Sequence, residues 1–229
     1  MNFDAIVGSA PLFGRGVLTT LTLLVAALSA GGLVAIPLAV LRNSRRRWLR
    51  SLVWCLTYLI RGTPLLVQLF VIYYGLAQFE FVRHGALWPL LKSAWFCATL
   101  AMAINTCAYT TEMLAGAIRA LPRGELEAAH AIGMSGRQRL QRVILPLALR
   151  RSIPAYSNEV VMMLHGTSLA SVVTLVDITG AARDVNSRFY LPFESFATAG
   201  GLYLLLTFAI LALFRHAEQR WLAPLRARA

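Results

Sequence analysis

Three ionisable side chains sit inside long apolar runs: Arg61, Glu112 and Glu159. An ion in a bilayer interior is costly, and its usual reason is function. Glu159 stands nine residues past Arg150. At 1.5 Å per helical residue that is a depth of about 13–14 Å, near the midplane where transporter sites gather. A carboxylate there can pair with a guanidinium or ammonium group; an internal ion pair or an interhelical hydrogen bond is the alternative. Glu112 lies seven residues before Arg119, nearer the boundary. It suits a pair with Arg61 or a loop arginine. Arg61 stands ten residues into its run, beside Thr63-Pro64, and proline interrupts helical hydrogen bonding. A broken helix is tolerated in a membrane where it lines a cavity or packs on protein. Arg61, Thr63, Pro64 and Glu112 are therefore candidates for a pathway or gate.

Further polar groups lie near the same depth. Asn105 and Thr106 can face a cavity or bond another helix. His165, Thr167 and Ser168 follow Glu159 by two turns, and the two hydroxyls suit a carboxylate or amino group. Asp177, Asp184 and Asn186 fall in an outer loop, where they can guide a cation, dock a partner or simply be solvated. There is no metal-ligand spacing, paired-carboxylate site or serine triad. The three cysteines, Cys55, Cys97 and Cys107, lie in apolar segments and read as small hydrophobes.

The elements that must hold these groups are long and apolar. Of 229 residues, 58% are hydrophobic and 14% charged. A soluble domain carries about 45–50% and about 25%, so a soluble enzyme and a disordered chain are both excluded. Five runs are long enough to cross a bilayer: 17–41, 51–76, 94–118, 153–176 and 196–214. Backbone groups cannot go unpaired in lipid, so each is expected to be helical. The first exceeds a signal-peptide core of about 7–15 residues and is expected to be retained.

Net charge is +12, and all basic residues but Lys92 are arginine. Sixteen of the 22 fall on one side of the five runs: Arg42 to Arg50, Arg119 to Arg151, and Arg215, Arg220, Arg226 and Arg228 at the end. Positive-inside reasoning puts the N-terminus outside and the C-terminus in the cytoplasm. The charge then faces anionic lipid headgroups rather than nucleic acid.

Residues 119–152 form a cytoplasmic loop with its own pattern. Pro122 suits a first helical position, Glu125 and Glu127 suit the first turn, and Gly133 suits a C-terminal cap. Ser135 with Gln138 forms a capping box for a second short helix, ending at Pro146. The loop is thus two short helices with a tight bend, a handle for a soluble partner or an amphipathic hairpin lying on lipid.

Glu127-Ala128-Ala129, Gly133 and Val143-Ile144-Leu145-Pro146 follow the spacing E-A-A-x3-G-x9-I-x-L-P, with Val143 where isoleucine is usual. This resembles the EAA loop of ABC importer permeases. Arg61-Gly62-Thr63-Pro64-Leu65, Ala108 to Glu112 with Gly116 to Ile118, and Ser157 to Val160 with Leu164 to Leu169 resemble polar amino acid permeases. The closest resemblance is to the M-type subunits for histidine, lysine, arginine and ornithine, and to opine permeases.

The resemblance implies a transport subunit, not an enzyme, in the bacterial inner membrane. It implies an all-α, five-helix transmembrane domain over 17–215 with the coupling loop 119–152 inside it. The implied partners are a second permease subunit, a homologous relative in preference to a copy, two cytoplasmic ATPases and an external solute-binding protein. Glu125, Glu127, Ala128, Ala129, Gly133 and Arg137 would couple to the ATPase. No G-x-x-x-x-G-K-[ST] motif is present, so ATP and Mg are expected on the partner and no cofactor on this chain. A cationic substrate follows from Glu159 together with the M-type resemblance. The rival, an ion-coupled secondary amino acid transporter, would need internal symmetry or paired ion-site carboxylates. The sequence has neither.

Overall fold

The structure, a computed structural model, describes residues 3–226. Arg228 lies outside the described residues, as does the side chain of Arg226. The chain is helical throughout, without a strand among the described residues. A short α1 (Phe3–Gly8) precedes the long α2 (Ala10–Arg42), then α3 (Arg47–Arg61) and α4 (Leu65–Phe70), which widens over Val71–Gly75 and then tightens over Leu76–Gln78. Two single-turn helices, α5 (Glu80–Arg83) and α6 (Trp88–Leu91), lead to α7 (Ala94–Arg119). The loop holds α8 (Arg123–Ala131) and α9 (Gly136–Arg139), and α10 (Leu145–Gly166), α11 (Ile178–Phe189) and α12 (Pro192–Arg226) complete the chain.

At the centre is α7. It packs along α2 and is crossed by α3 and α10, while α12 closes α10 and α11 from the far side. Small residues permit the closest approach. A methyl group at Gly31 would stand 2.4 Å from Thr106 Cγ2 and 2.6 Å from the Ala103 carbonyl oxygen. This accounts for the Gly31-Gly32 pair as a packing device. The main core joins Leu23, Leu24 and Ala27 to Leu69, Ala101, Met102, Val160 and Leu164.

Two helices, Ala10–Arg42 and Pro192–Trp221, are long and apolar enough to cross a membrane. Up to four spans result if Arg47–Arg61 with Leu65–Gln78, bent by 97°, and Gly136–Val173 with Ile178–Phe189, bent by 47°, each count once. The third apolar run coincides with α7, which is not among these candidates. Its inward face carries Asn105, Thr106, Thr110 and Thr111, all buried. A helix surrounded by protein can be polar where a lipid-facing one cannot. Outward, α3 exposes Leu52, Trp54, Leu56 and Leu59, and α12 exposes Leu204, Leu205, Phe208 and Leu213.

Three local expectations need correction. Pro122 is the cap residue of α8 rather than its first helical residue. Pro146 does not end the second loop helix. The chain stays helical from Gly136 to Val173, and a π turn over Leu140–Ile144 precedes the proline. Proline lacks an N–H and crowds the carbonyl four residues back, and the wider turn accommodates both. Residues 178–189, expected as loop, are α11: Ile178, Ala181, Ala182 and Val185 form one buried face.

Candidate functional site

The second apolar run breaks at Arg61-Gly62-Thr63-Pro64. Gly62 caps α3, and Pro64 (φ −62°, ψ 140°) turns the chain into α4. The corner forms one wall of a cavity of about 580 Å³. Asn105 and Tyr109 of α7 form the second wall, and Glu159, Met162, Met163 and His165 of α10 the third. Six of the sequence candidates (Arg61, Thr63, Pro64, Asn105, Glu159 and His165) therefore share one space. Arg61, Met162 and His165 are exposed, so the cavity opens onto the surface of the subunit.

Glu159 is held from behind. Thr106 Oγ1 donates to Glu159 Oε1 at 2.8 Å. Glu159 has no ion-pair partner among the described residues. Arg61 lies instead over the Tyr109 ring, its Cζ 5.0 Å from the centroid. A cation–π contact keeps the guanidinium on the wall and leaves the carboxylate open toward the cavity.

The remaining candidates divide differently. Thr106 is buried and reaches the cavity only through Glu159. Thr167 is fully buried and donates to the Leu164 carbonyl at 2.6 Å; Ser168 donates to the His165 carbonyl at 2.7 Å. Neither lines the cavity. Both hydroxyls cap the preceding turn where α10 tightens, a common use of Ser and Thr in helices. His165 Nε2 lies 3.3 Å from the Thr207 hydroxyl, which ties it to α12. Among the described residues no set of three His, Cys, Asp or Glu side chains is close enough to hold a metal.

Asp177 is not on the outer surface. It is fully buried and caps α11, accepting from the backbone N–H groups of Thr179 (3.2 Å) and Gly180 (2.9 Å) and from the Tyr203 hydroxyl (2.9 Å). Its carboxylate has no face left for a partner. Asp184 and Asn186 are half-exposed on α11.

Glu112 belongs to a separate cluster. Arg42 Nε donates to it at 2.7 Å and Thr57 Oγ1 at 2.8 Å, which joins α2, α3 and α7. Asn43 extends the cluster, donating to the Ala115 carbonyl at 3.3 Å and accepting from Arg119 at 3.4 Å. Glu112 does not line the cavity.

The loop is built as its spacing requires. Gly133 has φ +77°, and the Met134 and Gly133 N–H groups donate to the carbonyls of Ala129 and His130, a Schellman end for α8. Ser135 and Gln138 make both bonds of the capping box. On α8, Ala129 is buried, Glu127 and Ala128 are exposed, and Glu125 reaches Arg151 at 3.6 Å. Arg137 is exposed beyond the bend, and Ile132 at the tip is 73% exposed.

Sequence reasoning missed Gln68, Tyr109 and Met162. Tyr109 was legible as a neighbour of Asn105, four residues on along one helical face. Gln68 is a polar residue in an apolar run and gave the same kind of signal as Glu159.

Residues 16–223 match the family described as binding-protein-dependent transport system inner membrane component. The histidine/lysine/arginine/ornithine transport system permease protein HisM of Salmonella typhimurium is 49% identical over 208 residues, covering 90% of this chain and 88% of the relative. The nopaline transport system permease protein NocM of Agrobacterium fabrum is 45% identical over 230 residues, covering 100% and 95%. Among solved structures, an amino acid ABC transporter crystallised with histidines has TM-score 0.85 at 32% identity, covering 96% of this chain and 99% of that one. The MetNI methionine ABC transporter shares the fold, with TM-score 0.76 at 18% identity. Five apolar runs of sequence, a broken helix and a capped bend between two short helices would each be compatible with several transporters; taken with these matches, the chain belongs to the family of binding-protein-dependent transport system inner membrane components.

Proposed function

We propose that this inner-membrane permease subunit of an amino acid ABC importer passes a cationic amino acid or an opine across the face of Glu159. The observation that carries this is an oriented carboxylate, held by Thr106, without an ion-pair partner among the described residues, on the wall of a cavity beside a broken helix. A buried carboxylate favours a ligand that supplies the missing positive charge. The relatives named for histidine, lysine, arginine and ornithine, and for nopaline, support the same class.

The chain is a transport subunit, and ATP hydrolysis belongs to a separate ATPase. In our reading the domain covers 17–215 and crosses the membrane five times, N-terminus outside and C-terminus in the cytoplasm. A second permease subunit, a relative in preference to a copy, closes the open side of the cavity. Two cytoplasmic ATPases hold ATP and Mg. An external binding protein delivers the substrate near Asp184 and Asn186. The loop 119–152 couples through α8: Glu127, Ala128 and Arg137 offer the exposed contacts, while Ala129 and the Glu125–Arg151 pair fix the helix to the body. Gly133 sets the bend. Arg61, Thr63 and Pro64 line the pathway; Glu112, outside it, locks the cytoplasmic ends of the helices.

Glu159→Gln tests the site, because it keeps the shape and the Thr106 bond and removes the charge. A hydrogen bond to a charged group is worth about 1.5–3 kcal/mol, so arginine binding to the assembled transporter should weaken by about 10- to 100-fold. Equal affinity in the variant removes Glu159 from the site.

A further inference from the structure

Gln68 lies on α4, one helical turn past the proline corner, and is not part of the cavity wall. Its side chain makes four contacts. Nε2 donates to the Ile60 carbonyl at 2.7 Å, with the Thr63 carbonyl at 3.0 Å and Thr63 Oγ1 at 2.9 Å also in range. Oε1 accepts from Asn105 Nδ2 at 3.1 Å.

The first contact follows from Pro64. In an unbroken helix the Ile60 carbonyl would accept from the N–H four residues on, and residue 64 has none. A carbonyl left unpaired there is unfavourable. The Thr63 N–H (3.3 Å) and the Thr63 hydroxyl (3.1 Å) also donate to this carbonyl, and the Gln68 amide, at 2.7 Å, makes the shortest of these bonds. Backbone carbonyls only accept, so the end of Gln68 that faces Ile60 and Thr63 must be the NH₂ end. Its oxygen must then face α7. Asn105 meets that oxygen, and only its own NH₂ end can do so. The orientation of both amides is thereby set at the proline corner, where the Ile60 and Thr63 carbonyls orient Gln68 and Gln68 orients Asn105.

The consequence lies in the cavity, which Asn105 lines. Asn105 Oδ1 accepts no hydrogen bond among the described residues. It joins Glu159 as a second acceptor lining the same cavity. We infer that Gln68 is a positioning residue that fixes which end of Asn105 faces the cavity, and so biases the site toward ligand groups made only of N–H donors and against isosteres that present an oxygen. This rests on the cavity reading above.

The test compares L-arginine with L-citrulline, whose ureido oxygen replaces one guanidinium nitrogen. Both are titrated by calorimetry against the assembled transporter in nanodiscs, without the external binding protein. Gln68→Met removes the relay and lets Asn105 turn over, so the preference for arginine over citrulline should fall about tenfold, one charge-assisted hydrogen bond's worth. Gln68→Glu keeps an acceptor toward Asn105, so the preference should persist even though the donors to Ile60 and Thr63 are gone. A purely structural Gln68 predicts the reverse order, or an equal weakening of both ligands, and either result overturns the relay. If Gln68→Met does not assemble, loss of preference in Gln68→Glu overturns it alone. Failure of the cavity reading looks different: the unaltered transporter binds neither ligand, or Glu159→Gln binds arginine as well as before.

Discussion

Glu112 and Glu159 enter the sequence alike, each the lone acid of an apolar run, yet their neighbours give them different work. Glu112 meets Arg42 and Thr57 and becomes part of a helix clasp. Glu159 meets a single threonine hydroxyl and has no ion-pair partner among the described residues. Spacing alone placed Glu112 near the boundary and proposed an arginine partner. It could not choose Arg42, because that choice depends on how α2 lies along α7. Removing one member of a partly buried pair leaves the other uncompensated, which is typically worth 3–5 kcal/mol in full burial. With Arg42 and Glu112 at 16% and 15% side-chain exposure, Arg42→Ala should destabilise the purified complex by about 2–3 kcal/mol and lower its melting temperature. Arginine affinity should stay within twofold, since the clasp does not line the cavity. A melting curve and a binding isotherm on the same preparation check both. A variant that melts normally but binds poorly would move Glu112 into the pathway.

At the scale of elements, what the sequence made legible was local and what it hid was tertiary. The cap at Gly133, the box at Ser135 and Gln138, and the break at Thr63-Pro64 are all written within four or five residues, and all three form. Pro146 misled because its effect is relieved by the π turn before it, a compensation with no short signature. The buried face of α11 was legible at helical spacing, but the polar residues between its members suggested a loop. Thr167 and Ser168 looked available because the tightening of α10 after Gly166, which turns both hydroxyls onto carbonyls, follows from packing. The bend at Gly133 makes a separable prediction. A Cβ there meets nothing within 4 Å, so Gly133→Ala pays only for its positive φ, about 1 kcal/mol. It should leave coupled transport above half of normal. Gly133→Glu adds bulk and charge to the same turn and should release ATP hydrolysis from substrate uptake. The ratio of ATP hydrolysed to arginine accumulated in proteoliposomes reads both. A normal ratio in Gly133→Glu would make the loop a lipid-surface hairpin.

For the whole molecule, the physics of its central helix explains why α7 is not among the helices that composition marks as able to cross a bilayer. Hydropathy measures fitness for lipid, but α7 meets mostly protein. It buries Asn105, Thr106, Thr110 and Thr111 against its neighbours and so scores below the helices that enclose it. A central position therefore requires the polarity that hides it. If α7 crosses, and each broken run crosses once, the count is odd and the two ends lie on opposite sides. The loop bearing α8 then shares its side with the end of α12, and α11 lies across the membrane from both. Two exposed positions separate these arrangements. Gly124 starts α8 with nothing within 4 Å of a built Cβ, and Ser187 is exposed on α11. With the exposed Cys55 replaced by serine and the buried Cys97 and Cys107 kept, Ser187→Cys should react with a membrane-impermeant maleimide in intact spheroplasts. Gly124→Cys should react only after the membrane is opened. Labelling of both from one side would require an even number of crossings between them, and α10 would then have to enter and leave by the same face. That would strand Glu159 at the end of a re-entrant loop and overturn the proposed path of a cation past its carboxylate.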